Sequence, residues 1–321
     1  MATDASTAPS TPEPRADRQL MLVWRSQRQW SLAADNARAS LDRFRRWNLA
    51  LLIIGALAGA FAAQTWLNAG VATVFAGVAA VALAIAGVIQ ANGLNANQTT
   101  RWTQARAASE TLKAEIYRYL AGVAPYAGDD RAKTLSAQLA AVQTRVPASL
   151  LVAQQTKSDD TKSPPQIHGF QDYVTARAEQ QARWHKTRSA EHNGQARQLR
   201  ICQIVITGFG AVLSAVAGVQ PSWQLSAWTA AVTTIAAAVG THLAATQHQR
   251  IAAAYASTAD QLERLIVSID PTAATPDQQA QFVAQVERVL AGQNDGWTDL
   301  ISQNPAASGE GQEPPKDADE G

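Results

Sequence analysis

Few arrangements of ionisable residues in this chain of 321 residues suggest catalysis or metal binding. The candidates are the two Asp-Asp pairs and two of the five histidines: Asp129-Asp130, Asp159-Asp160, His185 and His192. Each carboxylate pair lies in a predicted turn or linker, where a solvated acid or a charge at a helix start is the simpler interpretation. Both histidines belong to a polar segment rich in Arg and Glu, so we expect exposed side chains.

No sequence motif adds chemistry to these residues. There is no P-loop, no strand–GxGxxG–helix context, and no HExxH or paired Cys and His at metal spacing. Cys202 is the single cysteine, which excludes a disulfide framework, and we expect it to be a small buried residue. The sequence therefore predicts a protein that is not an enzyme and that binds no cofactor or metal.

A second set of polar residues lies in segments that contain no charge: Gln90, Asn92, Gln203, Thr207, Thr233, Thr234 and His242. If these segments cross a bilayer, the side chains could line a wet path, because intramembrane polar groups face a cavity or the bundle interior. The alternative for the threonines is a hydroxyl bonded to its own helix carbonyl. His242 could meet lipid headgroups or sense protons.

The segments that contain these polar residues are recognised by the absence of charged side chains. Residues 47–100 and 201–249 contain none of the chain's 53 Asp, Glu, Lys and Arg residues. An ionised side chain costs about 2.5–3.5 kcal/mol at the bilayer centre on insertion scales, so long uncharged segments are typical of membrane spans. Each segment is too long for one span of about 20 residues and suits two.

We therefore predict two transmembrane hairpins, with spans at 47–66, 68–90, 201–219 and 225–245. Pro221 marks a helix break in the second hairpin turn. Lys and Arg flank only the open ends of the hairpins, so the positive-inside rule places both termini and residues 101–200 in the cytoplasm. The predicted fold class is all-α, an integral membrane protein with cytoplasmic amphipathic helical extensions.

The alternative is a soluble, Ala-rich helical bundle with buried hairpins. The mean hydropathy of −0.15 favours the bundle, whereas the span lengths favour the lipid bilayer. The formal net charge of +1 gives no electrostatic reason to expect a nucleic-acid partner.

Small residues recur four apart within the spans, a spacing that lets helix backbones approach closely. The candidate packing residues are Gly55 and Gly59 in the first span, Gly210, Ser214 and Gly218 in the third, and Gly240 in the fourth. These faces serve either self-assembly of several copies or packing inside one four-helix unit.

Composition and amphipathic periodicity divide the chain into two tails predicted to be disordered, two domains, a linker and a C-terminal amphipathic helix. In chain order these are 1–22, 23–145, 146–168, 169–270, 271–297 and 298–321, of which the third is the linker and the last is an acidic tail. Thr275 and Pro276 predict the cap and first turn of the C-terminal helix.

The two domains repeat the order of polar helix, hairpin and amphipathic helix. Trp30 and Trp184 each precede the last Arg before a hairpin by 16 residues. An offset of 150 residues pairs Glu110, Leu112 and Ile116 with Asp260, Leu262 and Ile266. The repeat is parallel, because both hairpins have the same predicted orientation.

The first hairpin is followed by Arg101-Trp102-xx-Ala105-Arg106-xxx-Glu110-x-Leu112, then by Tyr117-x-Tyr119-Leu120 and Pro125-Tyr126. This order resembles the SLATT family, the SMODS- and SLOG-associating two-transmembrane effector domains. The second half, with Tyr173-xxx-Arg177, Trp184 and Leu262-xxx-Ile266, resembles another subfamily of the same superfamily. The resemblance covers about 23–145 and 169–270, so we expect two such domains in tandem.

The resemblance implies a bacterial inner-membrane effector that assembles into a pore or perturbs the membrane in a nucleotide-signalled conflict or phage-defence system. The expected partners are the lipid bilayer, further copies of the chain and a separate cytoplasmic sensor or nucleotide-signalling protein. The alternative function is a constitutive membrane scaffold or adaptor whose cytoplasmic helices recruit a partner. A small transporter is disfavoured, because no Asp, Glu, Lys or Arg lies in the spans to couple an ion.

Overall fold

The computed structural model describes residues 14–94, 96–146, 149–152 and 163–302, and every regular element among them is a helix. In chain order these are α1 (Pro14–Ala62), α2 (Ala69–Gly93), α3 (Ala96–Ala121), α4 (Arg131–Arg145), α5 (Ser149–Val152), α6 (Phe170–Tyr173), α7 (Gln180–Val219), α8 (Ser226–Thr246), α9 (His248–Val267) and α10 (Pro276–Ser302). Val174–Glu179 continues α6 into α7 as a wider π-helical turn. The predicted all-α class is confirmed.

Four helical stretches are long and apolar enough to cross a bilayer. They lie in α1, in α2, in the continuous helix that ends with α7, and in α8 with α9. These are the four spans that the missing charge predicts.

The first hairpin turn is longer than predicted. Helix α1 ends at Ala62, four residues before the predicted end of the span at residue 66. The Gln64 side chain donates a hydrogen bond of 2.8 Å to the Ala60 carbonyl, and the Asn68 side chain caps α2 by accepting from the Val71 amide at 2.9 Å. Gln and Asn side chains can satisfy the free backbone groups at helix ends, so polar residues fix both boundaries of this turn.

The second hairpin turn begins where it is predicted. Helix α7 ends at Val219, and Pro221–Trp223 forms a single 3₁₀ turn. Gln224 then adopts the left-handed conformation with φ of 51°, and α8 starts two residues later. A second left-handed residue, Gln247 with φ of 47°, separates α8 from α9.

Both tails predicted to be disordered contain helix where the structure describes them. Helix α1 starts at Pro14, so 14–22 is helical rather than disordered, and α10 includes 298–302. Val23 and Trp30 are buried on one face of α1, which gives this polar segment an apolar stripe to pack. Residues 1–13, 147–148, 153–162 and 303–321, which hold the rest of these predictions, lie outside the described residues.

The chain divides into two compact units that cut across the two predicted domains. The first unit comprises Met1–Asp35, Gln104–Ala182 and Asp260–Gly292, and the second comprises Asn36–Thr103, Arg183–Ala259 and Gln293–Gly321, as far as these are described. Each unit takes segments from both halves of the sequence, because α1 and the continuous helix from Phe170 to Val219 contribute residues to both.

The core of the first unit joins the C-terminal helix to the helices of both halves. Phe282, Val283 and Val286 of α10 are buried with Ala121 of α3 and with Leu262 of α9. At the start of α10, the Thr275 amide donates to the Gln278 side chain at 2.8 Å, and the Gln278 amide donates to the Thr275 hydroxyl at 3.4 Å. This reciprocal capping box confirms the predicted Thr275 cap.

Candidate functional site: paired hairpins and two polar clusters

In the second unit, the first hairpin packs through a glycine and a pair of aromatic rings. A Cβ added at Gly55 would lie 2.9 Å from Leu83 Cδ2, a distance that real Cβ atoms do not reach. The Phe61 and Phe75 rings stack with centroids 5.2 Å apart. Gly55 therefore permits the close approach of α1 and α2 that small residues give membrane helices.

The second hairpin uses two of the predicted small residues in the same way. A Cβ at Gly210 of α7 would lie 3.1 Å from Val232 Cγ1 of α8. A Cβ at Gly240 of α8 would lie 2.8 Å from Nε2 of Gln203, which belongs to α7. Gln203 is thus an intramembrane polar residue that contacts the neighbouring span.

The two hairpins also contact each other within one chain. The Phe61 ring of the first meets the Trp228 ring of the second edge to face, with centroids 4.8 Å apart. At the hairpin turns, the Thr65 amide donates to the Gln224 side-chain oxygen at 3.2 Å, and the Gln224 amide nitrogen donates to the Thr65 hydroxyl. The four spans therefore form one intramolecular unit rather than two independent hairpins.

The other three predicted packing residues face open space. No atom outside the local helix backbone lies within 4 Å of a Cβ added at Gly59 or at Gly218, and Ser214 is exposed. Part of the small-residue surface, on α1 and α7, is therefore not used by packing inside the chain.

Most of the predicted polar residues of the spans do not meet one another. The Thr233 and Thr234 hydroxyls donate to Thr229 and Ala230 carbonyls of their own helix, both at 2.9 Å. The remaining members of the set are the Asn92 side chain, which donates to the Val88 carbonyl at 3.1 Å, the exposed residues Gln90 and Thr207, and the half-buried His242. Thr233 and Thr234 therefore form the hydrogen bonds to carbonyls of their own helix that were the alternative to lining a wet path.

In the first unit, a buried ion pair joins the C-terminal helix to the π-helical turn. Arg177 Nε and Nη2 donate to the two carboxylate oxygens of Glu287, each at 3.0 Å, and both side chains are at most 2% exposed. The Tyr173 hydroxyl donates to Glu287 Oε1 at 2.9 Å. The Tyr117 ring lies 4.2 Å from the Arg177 guanidinium carbon, in a cation–π contact.

The electrostatics of this Arg177 cluster keep Arg177 charged and the Tyr173 hydroxyl neutral. Burial disfavours the Arg177 charge, but the attraction and hydrogen bonds of Glu287, with smaller effects of Tyr173 and Tyr117, together outweigh burial and raise the pKa of Arg177 above its ordinary value. Burial and then the Glu287 carboxylate raise the pKa of Tyr173, so its hydroxyl remains a donor. Arg177 Nη1 is buried without a hydrogen-bond acceptor among the described residues. The cluster is a structural junction with no free nucleophile or base.

Sequence reasoning did not single out Glu287. The predicted stripe of the C-terminal helix consists of apolar residues, whereas Glu287 is itself 2% exposed. Its position four residues after Val283 and three before Leu290, both buried, puts it on the core face of α10. That spacing was the available signal for a buried acid.

In the second unit, histidines and aromatic rings form another polar cluster. His192 Nδ1 lies 2.9 Å from His248 Nδ1, and the Tyr255 ring stacks on His192 with centroids 5.6 Å apart. His185 is 2% exposed, whereas Trp184 is 38% exposed. The predicted exposure of His185 and His192 is therefore wrong, because α9 covers this face of the polar helix.

The pKa of His192 is lowered to about 4. The largest cause is burial, followed by the charges of His248, Arg38 and Arg188, and Glu191 has a smaller opposing effect. The pKa of His248 is lowered as well, first by burial. The pair is therefore neutral at ordinary pH, and one ring donates to the other.

The predicted cysteine and the first carboxylate pair belong to neither cluster. Cys202 is exposed at the start of the third span, so its predicted burial is wrong. Asp129 and Asp130 are exposed before α4, whereas Asp159-Asp160 lies outside the described residues. Among the described residues, no group of three or more His, Cys, Asp or Glu is placed to hold a metal.

Comparisons with known proteins match each half of the chain to a different family. Residues 173–297 match the model of SMODS and SLOG-associating 2TM effector domain 1. Residues 28–134 match the model of a protein family of unknown function, DUF4231. No curated protein and no solved structure matches the chain. The first match covers α7 to α9 and most of α10, including both Arg177 and Glu287.

The Arg177 cluster predicts a large and local loss of stability. Glu287→Gln leaves a buried guanidinium without its carboxylate, which costs about 3–5 kcal/mol when one partner of a buried pair is removed. Hydrogen exchange of α10 amides in the purified protein measures this loss. Glu191→Gln is the matched control, because its pair with Arg188 is about half exposed and such pairs contribute about 0–1 kcal/mol. Equal effects of the two substitutions would contradict the assignment.

The histidine pair predicts a loss of stability in acid. Because the pKa of folded His192 is lowered from 6.5 to about 4, the unfolded chain binds a proton that the folded chain does not. The melting temperature in detergent should therefore fall as the pH decreases from about 6.5 towards 4. His192→Gln should flatten this dependence, whereas His168→Gln at an exposed site should retain it. An unchanged slope in the His192 variant would refute the interpretation.

Proposed function

We propose that this chain is a bacterial inner-membrane effector that acts without catalysis, by assembling its spans with those of further copies into a pore or an equivalent membrane lesion. The observation that carries the proposal is the match of 173–297 to a two-transmembrane effector domain, in a chain with four helices able to cross a bilayer. The proposed setting is a nucleotide-signalled conflict or phage-defence system, and the trigger comes from a separate cytoplasmic sensor or nucleotide-signalling protein.

We also propose that the first half is a second domain of the same kind. At the offset of 150 residues the helix after each hairpin repeats its burial, with buried pairs Trp102 and Ala252, Ala108 and Thr258, Ser109 and Ala259, and Leu112 and Leu262. The repeat is less regular before the hairpins, since Trp30 is 1% exposed and Trp184 is 38% exposed. The shared burial pattern supports a duplicated helical plan whose first copy has diverged.

In the proposed topology both termini and residues 101–200 are cytoplasmic, because Arg and Lys flank the open ends of the hairpins and are absent from both turns. The bilayer is the first partner. Self-assembly is supported by the small residues that packing inside the chain leaves open, Gly59, Ser214 and Gly218. The charge balance gives no support to a nucleic-acid partner.

The scaffold alternative gains one observation from the structure. Helix α10 is anchored in the core of the first unit and presents Gln281, Gln285 and Arg288 on an exposed face. Deleting 271–321 would remove Phe282 and Glu287 from that core and would not isolate partner binding. Substituting the three exposed residues is the cleaner test: loss of a bound partner with intact membrane activity would favour a scaffold role for α10.

The pore proposal predicts leakage that depends on an outward glycine. Purified protein should release dye from liposomes, and triggered expression should depolarise cells. Gly218→Leu should reduce both leakage and cross-linked oligomers several-fold, because a bulky side chain blocks close helix approach between copies. Gly194→Leu, at an equally open position of α7 outside the predicted span, is the matched control.

Two results would contradict the pore proposal. One is the absence of leakage and of depolarisation with the unsubstituted chain. The other is undiminished leakage and assembly in the Gly218 variant. Loss of activity in both glycine variants would indicate a general effect on the helix rather than an interface.

A further inference from the structure

The formal net charge of the chain is +1, but its positive and negative residues are distributed very unevenly. The two segments of the second unit that contain the spans, 36–103 and 183–259, carry 11 Lys and Arg and two acidic residues, a net charge of +9. The remainder of the chain carries 16 Lys and Arg and 24 acidic residues, a net charge of −8. The two segments that contain the spans are therefore strongly basic, and nearly all of the acidic residues lie elsewhere in the chain.

Both acidic residues of these segments are already engaged by neighbouring arginines. Asp42 lies 3.7 Å from Arg38 and 3.6 Å from Arg45. Glu191 lies 2.6 Å from Arg188. These contacts use both acidic residues of the two segments.

Six arginines of these segments are exposed and have no ion-pair partner among the described residues, and five of the six lie close to a predicted span end: Arg43, Arg46, Arg197, Arg200 and Arg250. Each lies within about five residues of a predicted span end, which is one to two helical turns. All of them flank open ends of hairpins, and none lies in a hairpin turn. We call these five residues the arginine collar.

In the proposed membrane placement, the arginine collar lies at the level of the lipid phosphates. A guanidinium binds phosphate through two parallel N–H donors, and its apolar stem can lie along a span end while its head reaches the interface. Trp47, next to Arg46, is 57% exposed, and exposed tryptophans are enriched at the headgroup level. An interface at which unpaired arginines outnumber carboxylates, and at which the carboxylate of Asp42 is already paired, favours anionic over zwitterionic headgroups.

We propose that the arginine collar is a binding surface for anionic phospholipids of the leaflet that faces the open ends of the hairpins. The proposal rests on the membrane placement and orientation given under the proposed function, and it holds whether or not the chain forms a pore. The competing occupant is the chain's own C-terminal segment, since 303–321 contains five acidic residues and one lysine. We favour lipid because the collar residues adjoin the spans on both hairpins.

The test is native mass spectrometry of the full chain in micelles with equal amounts of phosphatidylglycerol and phosphatidylcholine. The unsubstituted protein should retain mostly phosphatidylglycerol. Arg197→Gln with Arg200→Gln should reduce this preference, with about fivefold per arginine as the expected order of magnitude. Arg43→Gln with Arg46→Gln should do the same on the other hairpin, so the test does not depend on one variant folding.

Two controls separate local from general charge effects. Lys133→Gln with Arg145→Gln removes two exposed charges from the first unit and should leave the preference unchanged. Arg197→Lys with Arg200→Lys keeps both charges and should retain most of it. These lipid counts require no leakage, so failure of the pore proposal would not affect them.

Three outcomes would overturn the lipid proposal. One is equal retention of the two lipids by the unsubstituted protein. Another is an equal loss in the Lys133 and Arg145 control. The third is a preference that emerges only when Glu310, Glu313, Asp317, Asp319 and Glu320 are replaced by their amides, which would assign the collar to the acidic C-terminal segment.

Discussion

The exclusion of ionised side chains from a low-dielectric interior is the constraint on which the rest of the structure depends. In the second unit the constraint is met by omission, since 47–100 and 201–249 carry no Asp, Glu, Lys or Arg. In the first unit it is met by pairing, since Arg177 and Glu287 are both nearly inaccessible and bind through two hydrogen bonds. The two solutions suit different tasks: spans that lie in lipid must omit charge, whereas a helical core can enclose a charge that is neutralised.

Pairing gives the C-terminal helix a defined place. Glu287 accepts from Arg177 and from Tyr173, so α10 is fixed in register against the π-helical turn as well as by apolar packing. A turn of π-helix widens the helix locally and is frequent at functional sites. The helix after the second hairpin and the C-terminal helix therefore belong to one folded core, which agrees with the extent of the matched effector-domain model.

Local sequence information predicted the spans well because composition alone decides them. It placed the first turn too late, because Ala62 and Ala63 have no feature that distinguishes helix from turn, while the cap by Asn68 depends on one side-chain hydrogen bond. It missed the burial of His185 and the role of Glu287, because both polar side chains are buried by partners distant in sequence. The packing glycines were predicted as a set, and only the tertiary contacts separate Gly55, Gly210 and Gly240 from the open Gly59 and Gly218.

The central claim is that the two uncharged segments cross a membrane as hairpins with their basic ends on one side. Cysteine accessibility tests it most directly, in a Cys202→Ser background with single substitutions Asn68→Cys, Ser222→Cys or Ser163→Cys. A membrane-impermeant reagent added to intact cells should label positions 68 and 222, in the two hairpin turns, and should not label position 163. Recovery of the protein in the soluble fraction, or labelling at 163 without labelling at the turns, would contradict the account.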